Sequence, residues 1–371
     1  MTRFRDFGLT VGQLPPGPLN AITDVEGVRV GATTLIEGDG PLEIGRGPVR
    51  TGVTVVVPHA GIADAPLFAG CHRLNGNGEL TGLEWVRESG QLTTPIAITN
   101  THSVGVVRDA LVRHDAGRHG DAMSYWSLPV VGETYDGALN DINGMHVTAE
   151  HLDAALANAA DGPVPEGSVG GGTGMICHDF KGGTGTASRV VAEGTVGALV
   201  QANHGGRERL AVDGVPVGAE IPVSELPSAW DDEERIATAG SGSIIVVLAT
   251  DAPLLPHQLE RVAQRAGLGI ARAGGAGEHS SGDMFIAFST ANRGKLASYK
   301  AGGPVTPREI QMLPDAAISD LFWATIEATE EAILNALVAA ETMTGRDGIT
   351  AHALPHDRLL QIMGRYGRGP R

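Results

Sequence analysis

A serine that follows a glycine at the mouth of a strongly apolar run is a place where a chain can cut itself. Here Ser241-Gly242-Ser243 leads into Ile244-Ile-Val-Val-Leu-Ala-Thr250, the most hydrophobic strand signal in the sequence. Cleavage before serine proceeds by attack of its hydroxyl on the preceding carbonyl, giving an ester that water opens. Gly242 helps twice: no Cβ shields its carbonyl, and it accepts backbone angles that other residues resist. Cleavage would leave a hydroxyl and a free α-amine on Ser243. With a reference pKa of about 7.7–8.0, that amine suits the role of base for its own hydroxyl. On composition alone, Gly240-Ser-Gly-Ser243 is commonest as a turn.

Other candidate chemistry weighs less. Gly170-Gly-Gly-Thr-Gly174 could cradle phosphate, but no GK[ST] follows it, so it reads as close-packed backbone near a site. The 13 histidines show no HExxH, and neither they nor Cys71 and Cys177 have zinc-like spacing. We therefore expect no metal and no cofactor. His178-Asp179 reads as surface. His102 and Ser103 are adjacent and point apart, which argues against a Ser-His-Asp arrangement.

The elements that must position Ser243 are partly legible. Thr51–Pro58, Pro95–Asn100, Leu128–Gly137, Val196–Asn203 and Met284–Phe288 read as strands, and Val104–Arg113, Thr148–Ala160, His257–Ala273 and Ala317–Met343 as helices. Between Arg207 and Gly240 the periodicity fades and acids and prolines gather, as in Trp230-Asp-Asp-Glu-Glu-Arg235, so this segment reads as an exposed linker. Strands and helices alternate without a clean βαβ repeat, which gives an α/β class with layered sheets.

Composition excludes several functions. The net charge is −16, with no basic block, so neither nucleic acid nor an anionic membrane surface is an expected partner. No stretch of about 18 apolar residues occurs, and Met1–Gly8 is unlike a signal peptide. Two cysteines without a CxxC pair fit a cytoplasmic protein with reduced thiols. The 53 glycines in 371 residues, roughly twice average usage, have no collagen period and imply many close backbone approaches.

The stretch Ser241–Pro253 resembles the nucleophile strand of the DmpA-type L-aminopeptidase/D-esterase family, which includes the β-peptidyl aminopeptidases. Asn20-Ala-Ile-Thr-Asp-Val25, Asn100-Thr-His-Ser-Val-Gly105, Val131-Gly-Glu-Thr-Tyr-Asp136, Val169–Gly174, Lys181-Gly-Gly183 and Ser280-Ser-Gly-Asp283 extend the resemblance in order along nearly the whole chain. It implies an αββα layered sandwich of the DmpA/ornithine acetyltransferase type. It also implies self-cleavage into an α subunit, 1–242, and a β subunit, 243–371, forming one structural domain, with the αβ pairs assembled as a homotetramer. The implied activity is release of N-terminal L-α, D-α or β-amino acids from small peptides, amides and esters.

Carried over residue by residue, the resemblance makes Ser243 the nucleophile and Gly242 the residue before the scissile bond. Ser281 matches a serine that contacts the nucleophile's amine and hydroxyl. Asp283 stands where relatives carry an acidic residue, Glu in some of them; the shorter Asp needs a water or a shifted backbone to reach as far. Asn203 matches the oxyanion stabiliser. Glu133 and Tyr135, two apart on an extended segment and so on one side, match residues that bind the substrate's amine and polarise its carbonyl. Without the resemblance, Asn203-His-Gly-Gly reads as a turn, Glu133-Thr-Tyr-Asp-Gly as a hairpin end and Ser281-Gly-Asp as a loop. Two rival readings are an ornithine acetyltransferase-like acyl transferase, which would use Thr where Ser243 stands, and a Gly-rich nucleotide-binding module that never cleaves itself.

Overall fold

A strand covered on both faces loses polar alternation and becomes a continuous apolar run, and this rule explains the centre of the molecule. The computed structural model describes residues 2–118, 125–230, 242–296 and 306–370. In it, β2 (Val49–Val57) and β12 (Ser281–Ser289) are buried at every position, and β11 (Gly242–Thr250) at every position after Gly242.

Two sheets form. The smaller has the order β1 (Arg29–Glu37), β2, β5 (Ile96–Asn100) and β6 (Val130–Thr134), antiparallel except for the β5–β6 pair. The larger has the order β4 (Gln91–Leu92), β3 (Leu67–Arg73), β12, β11, β10 (Gly194–Asn203) and β9 (Gly183–Val191), with only β11–β12 parallel. Ile96 and Ile98 of one sheet and Ile245, Val247 and Ile286 of the other share the apolar layer between them.

Helices close both outer faces. α2 (Val104–Ala116) and α3 (Ala149–Ala157) bury Val107, Leu111 and Leu152 against Val53, Val55 and Val131. On the far side, α4 (Pro256–Arg272) and α5 (Ser319–Ala339) cover Val200, Val246 and Phe285. The result is the expected αββα sandwich. A short α1 (Leu83–Ser89), a C-terminal α6 (His356–Arg365) and the small hairpins β7 (Ile176–Cys177) with β8 (Phe180–Lys181) and β13 (Met343–Thr344) with β14 (Thr350–Ala351) complete it.

Several expectations need correction. Residues 207–230 are not a linker: Leu210, Val212, Val215, Val217 and Ile221 are buried in the core beneath α4 and α5. Residues 231–240, the rest of that stretch, lie outside the described residues. The helix expected to reach Met343 ends at Ala339, and Met343 is already in β13. Ser281-Gly-Asp283 is the start of β12 rather than a loop, held by parallel pairing to β11.

His178 and Asp179, expected at the surface, are buried. They are the two central residues of the β7–β8 hairpin, with φ of 49° and 60°, the backbone that a tight hairpin of this kind needs. Residues 205–230 fold over them. Arg207 donates to the Asp179 carbonyl at 2.7 Å, and the Gly206 carbonyl meets His178 Nδ1 at 3.2 Å.

Candidate active site

The site begins where β11 begins. Gly242 has φ of +135°, and a Cβ placed there would lie 2.1 Å from the Asn203 carbonyl oxygen. Glycine is therefore required on both conformational and steric grounds. The next residue, Ser243, is buried and pairs across the ladder with Asn203 on one side and Gly282 on the other. The Gly282 N–H donates to Ser243 Oγ at 3.1 Å.

The start of β12 wraps the serine. Ser281 Oγ donates to Asp283 Oδ1 at 2.6 Å, and the Asp283 carboxylate also accepts from the Ile244 N–H. Burial pushes the Asp283 carboxyl up to about 6, against the lowering effect of the Ser281 hydroxyl and the Ile244 amide. The Asp283 carboxylate is thus held at the amide of Ile244, the residue after Ser243. The group that touches Ser243 Oγ is the backbone N–H of Gly282, which no side-chain reading could have named.

Asn203, at the end of β10, is oriented by two backbone groups. Its Oδ1 accepts from the Ile176 N–H at 2.8 Å and its Nδ2 donates to the Tyr135 carbonyl at 3.1 Å. This network fixes the amide's orientation and commits one of the two Nδ2 hydrogens, leaving the other available as a donor.

Glu133, in β6, is buried and doubly held. Its Oε1 accepts from the Glu79 N–H at 2.8 Å, and its Oε2 from the Thr101 hydroxyl at 2.5 Å. Burial raises its pKa from the ordinary carboxylate value, opposed by those two hydrogen bonds. Tyr135, just past β6, is about half exposed, and its ring folds back over Gly137, where a Cβ would lie 2.3 Å from the phenolic oxygen. The glycines at 170–174 are close-packed as expected: a Cβ at Gly171 would sit 2.6 Å from the Ile98 carbonyl oxygen.

Ser243, Asn203, Glu133 and Tyr135 all line one cleft of about 1060 Å³, with His102 and Gly242. Ser281 and Asp283 lie behind its wall, reaching it through the ladder with β11. Five carboxylates border the cleft, those of Glu79, Glu133, Asp179, Glu208 and Glu278, against the three arginines 207, 209 and 346. Arg207 is already paired with Asp179. The balance attracts the positive end of a ligand.

A buried serine at the start of a central strand, a committed amide beside it and a carboxylate-walled cleft in an αββα sandwich fit a hydrolase of the N-terminal-nucleophile class of folds. Comparison with known proteins makes the class specific: residues 20–351 match Peptidase family S58, and the chain belongs to that family. It is 51% identical to the β-peptidyl aminopeptidase BapA of Sphingosinicella microcystinivorans, over 99% of this chain and 93% of that one. A solved β-aminopeptidase of Burkholderia sp. superposes with a TM-score of 0.90 at 53% identity, covering 99% of both chains. The L-aminopeptidase D-Ala-esterase/amidase of Ochrobactrum anthropi, described as a variant of the Ntn hydrolase fold, gives 0.87 at 46% identity, again covering 99% of both. The protein is an aminopeptidase of the amidase and esterase type, which sets aside the acyl-transferase and nucleotide-module readings. Among the described residues no helix is long and apolar enough to cross a membrane.

Proposed function

We propose that the chain cuts itself between Gly242 and Ser243, and that Ser243 then releases N-terminal amino acids from small peptides, amides and esters through an acyl-enzyme. In processing, Ser243 Oγ attacks the Gly242 carbonyl, the C–N bond breaks, and water opens the ester. This leaves chains 1–242 and 243–371. In turnover the freed α-amine takes the Oγ proton as Oγ attacks the substrate carbonyl, and returns it to the leaving amine or alcohol. Water then attacks the acyl-Ser243 ester by the same route.

The remaining side chains divide the work. The free Nδ2 hydrogen of Asn203 meets the developing oxyanion, with Tyr135 polarising the same carbonyl. Glu133 pairs with the substrate's free ammonium. Asp283, steadied by Ser281, balances the charge of the Ser243 amine. No metal or cofactor enters this route. The relatives named for β-peptides support β-amino acid residues among the substrates, with L-α and D-α residues as further classes. A cytoplasmic homotetramer of αβ pairs completes the reading.

The observation that carries it is the Gly242 backbone, held at φ +135° directly before a serine whose Oγ already has an amide donor at 3.1 Å. Denaturing electrophoresis tests it. The 38.3 kDa chain of 371 residues should give bands of about 25 and 13 kDa, the smaller beginning Ser-Ile-Ile-Val-Val. Ser243→Ala should stay intact and inactive; an active, uncleaved Ser243→Ala protein would overturn the mechanism.

A further inference from the structure

Behind the cleft wall lies a group of side chains that the proposed mechanism does not use. Cys177 ends β7, His178 opens the hairpin turn, and His204 follows Asn203 at the end of β10. All three are buried, and one ligand atom from each lies within 4.8 Å of the other two. Cys177 Sγ and His204 Nδ1 are 3.8 Å apart, and the two imidazoles meet edge to face with centroids 5.1 Å apart.

The donor chemistry is that of a soft-metal site. His178 Nδ1 faces the Gly206 carbonyl at 3.2 Å, which places the proton on Nδ1 and leaves the Nε2 lone pair bare. Outer-shell carbonyls of this kind orient the histidines of metal centres. Nε2 of His178 is buried without a hydrogen-bond partner, a costly state for a polar atom unless something occupies the space beside it. Burial lowers the pKa of both histidines, that of His178 to about 4, so both rings are neutral, and pushes the Cys177 thiol up to about 12, so an ion must displace its proton to bind.

We propose that Cys177 Sγ, His178 Nε2 and a ring nitrogen of His204 bind one divalent transition ion of the zinc class. Nδ1 of His204 lies 3.8 Å from Sγ. Binding replaces the thiol proton, which passes to solvent, and three protein ligands leave a fourth tetrahedral position for water. Around a tetrahedral zinc ion, one sulfur and two nitrogen ligands sit roughly 3.3–3.6 Å apart, given bonds of about 2.3 and 2.0–2.1 Å. The 3.8 Å sulfur–nitrogen spacing is close to this range, and a spacing at the 4.8 Å limit must close by roughly 1.2–1.5 Å.

That closure has a consequence for the cleft. Cys177 adjoins Ile176, whose N–H holds Asn203 Oδ1, and His204 adjoins Asn203 itself. Drawing the three ligands together therefore shifts the Ile176 support and the Asn203 backbone, while the second support, the Tyr135 carbonyl, adjoins none of them. Since misplacement of a catalytic group by about 1 Å costs on the order of 10²-fold, the bound ion is an inhibitor. The inhibition rests on the proposed role of Asn203; the binding does not.

Cobalt(II) titration of the chelator-treated protein separates the two. Thiolate ligation gives a sulfur-to-cobalt charge-transfer band, expected at one ion per chain. The band should persist in Cys71→Ser, disappear in Cys177→Ser and need at least tenfold more cobalt in His178→Gln. No band in the natural protein, or a band surviving Cys177→Ser, overturns the site. If Cys177→Ser is not recovered folded, His178→Gln decides alone, and an unchanged titration overturns it. Zinc should then lower kcat in a chelator-reversible way, with Cys177→Ser at least tenfold more resistant. Cobalt binding without loss of activity would leave the site standing and remove its link to Asn203.

Discussion

Glu133→Gln isolates one charge with little disturbance to the fold. The carboxylate has two fixed partners, the Glu79 N–H at Oε1 and the Thr101 hydroxyl at Oε2. Glutamine can keep both: its oxygen takes the Glu79 N–H, and its amide donates to a Thr101 hydroxyl that has rotated to accept. What is lost is the negative charge facing the cleft. A charge-assisted hydrogen bond contributes about 1.5–3 kcal/mol, so kcat/KM for a substrate with a free amine should fall roughly 10- to 150-fold. An N-acetylated version of that substrate lacks the ammonium and should be poor with the natural enzyme and no poorer with the variant. The four rate constants form a double-mutant cycle whose coupling term measures the pair itself. Equal losses on both substrates, or none on either, would refute the role. Stability gives an internal control. Because burial raises the Glu133 pKa, its ionisation favours the unfolded state, and the associated stability is present below the ordinary carboxylate pKa and lost as pH rises through the folded value. Removing the charge should leave the Tm at neutral pH unchanged or higher.

The other predictions follow from the backbone and the second carboxylate. Gly242→Ala forces a Cβ to within 2.1 Å of the Asn203 carbonyl oxygen and holds alanine at φ +135°, so self-cleavage followed on a gel should slow by on the order of 10²-fold; processing at the natural rate would remove the argument that this geometry primes the bond. Ser243→Cys keeps a nucleophile, so bands of both sizes should still form while kcat falls, and a protein that stays wholly uncleaved would contradict it. In the natural enzyme kcat/KM should rise with pH as the Ser243 amine loses its proton. Asp283, buried with a carboxyl pushed up to about 6, is mostly ionised there and stabilises the ammonium, so Asp283→Asn should move that limb to lower pH. A limb that stays in place would separate Asp283 from the amine.

How much of this was legible in the sequence depended on whether a residue's own chemistry or its neighbours decided its place. Ile244–Thr250 announced β11 because both faces of that strand are covered, and Gly242 announced a backbone that only glycine adopts. Ser281-Gly-Asp283 looked like a loop because its residue types are depleted in strands; parallel pairing to β11 overrides that preference. β9 was missed for a related reason. Its glycines resemble a turn, but a Cβ at Gly185 would lie 2.0 Å from the Ala332 carbonyl oxygen, so small residues there let α5 lie against the sheet. Residues 207–230 carried buried side chains with no helical or strand period, because an irregular segment that folds over a hairpin has none to show. The same segment buries His178, which a sequence reading leaves at the surface, far from its partner His204.

The site's supports pose a different limit. The groups that hold it are largely backbone: the Gly282 N–H on Ser243 Oγ, the Glu79 N–H on Glu133, the Ile176 N–H and Tyr135 carbonyl on Asn203, and the Ile244 N–H on Asp283. A main-chain amide has no letter of its own, since every residue but proline supplies one. Its placement is set by strand register, and a slip of one residue in the β11–β12 pair would turn Ser243 to the opposite face. Register in turn is fixed by the apolar faces of Ile245, Val247 and Ile286 against the smaller sheet and of Val246 and Phe285 against the helices. The proposed catalytic arrangement is therefore encoded twice: once in a few polar side chains that a reader can name, and once in the core pattern that delivers unnamed amides to them.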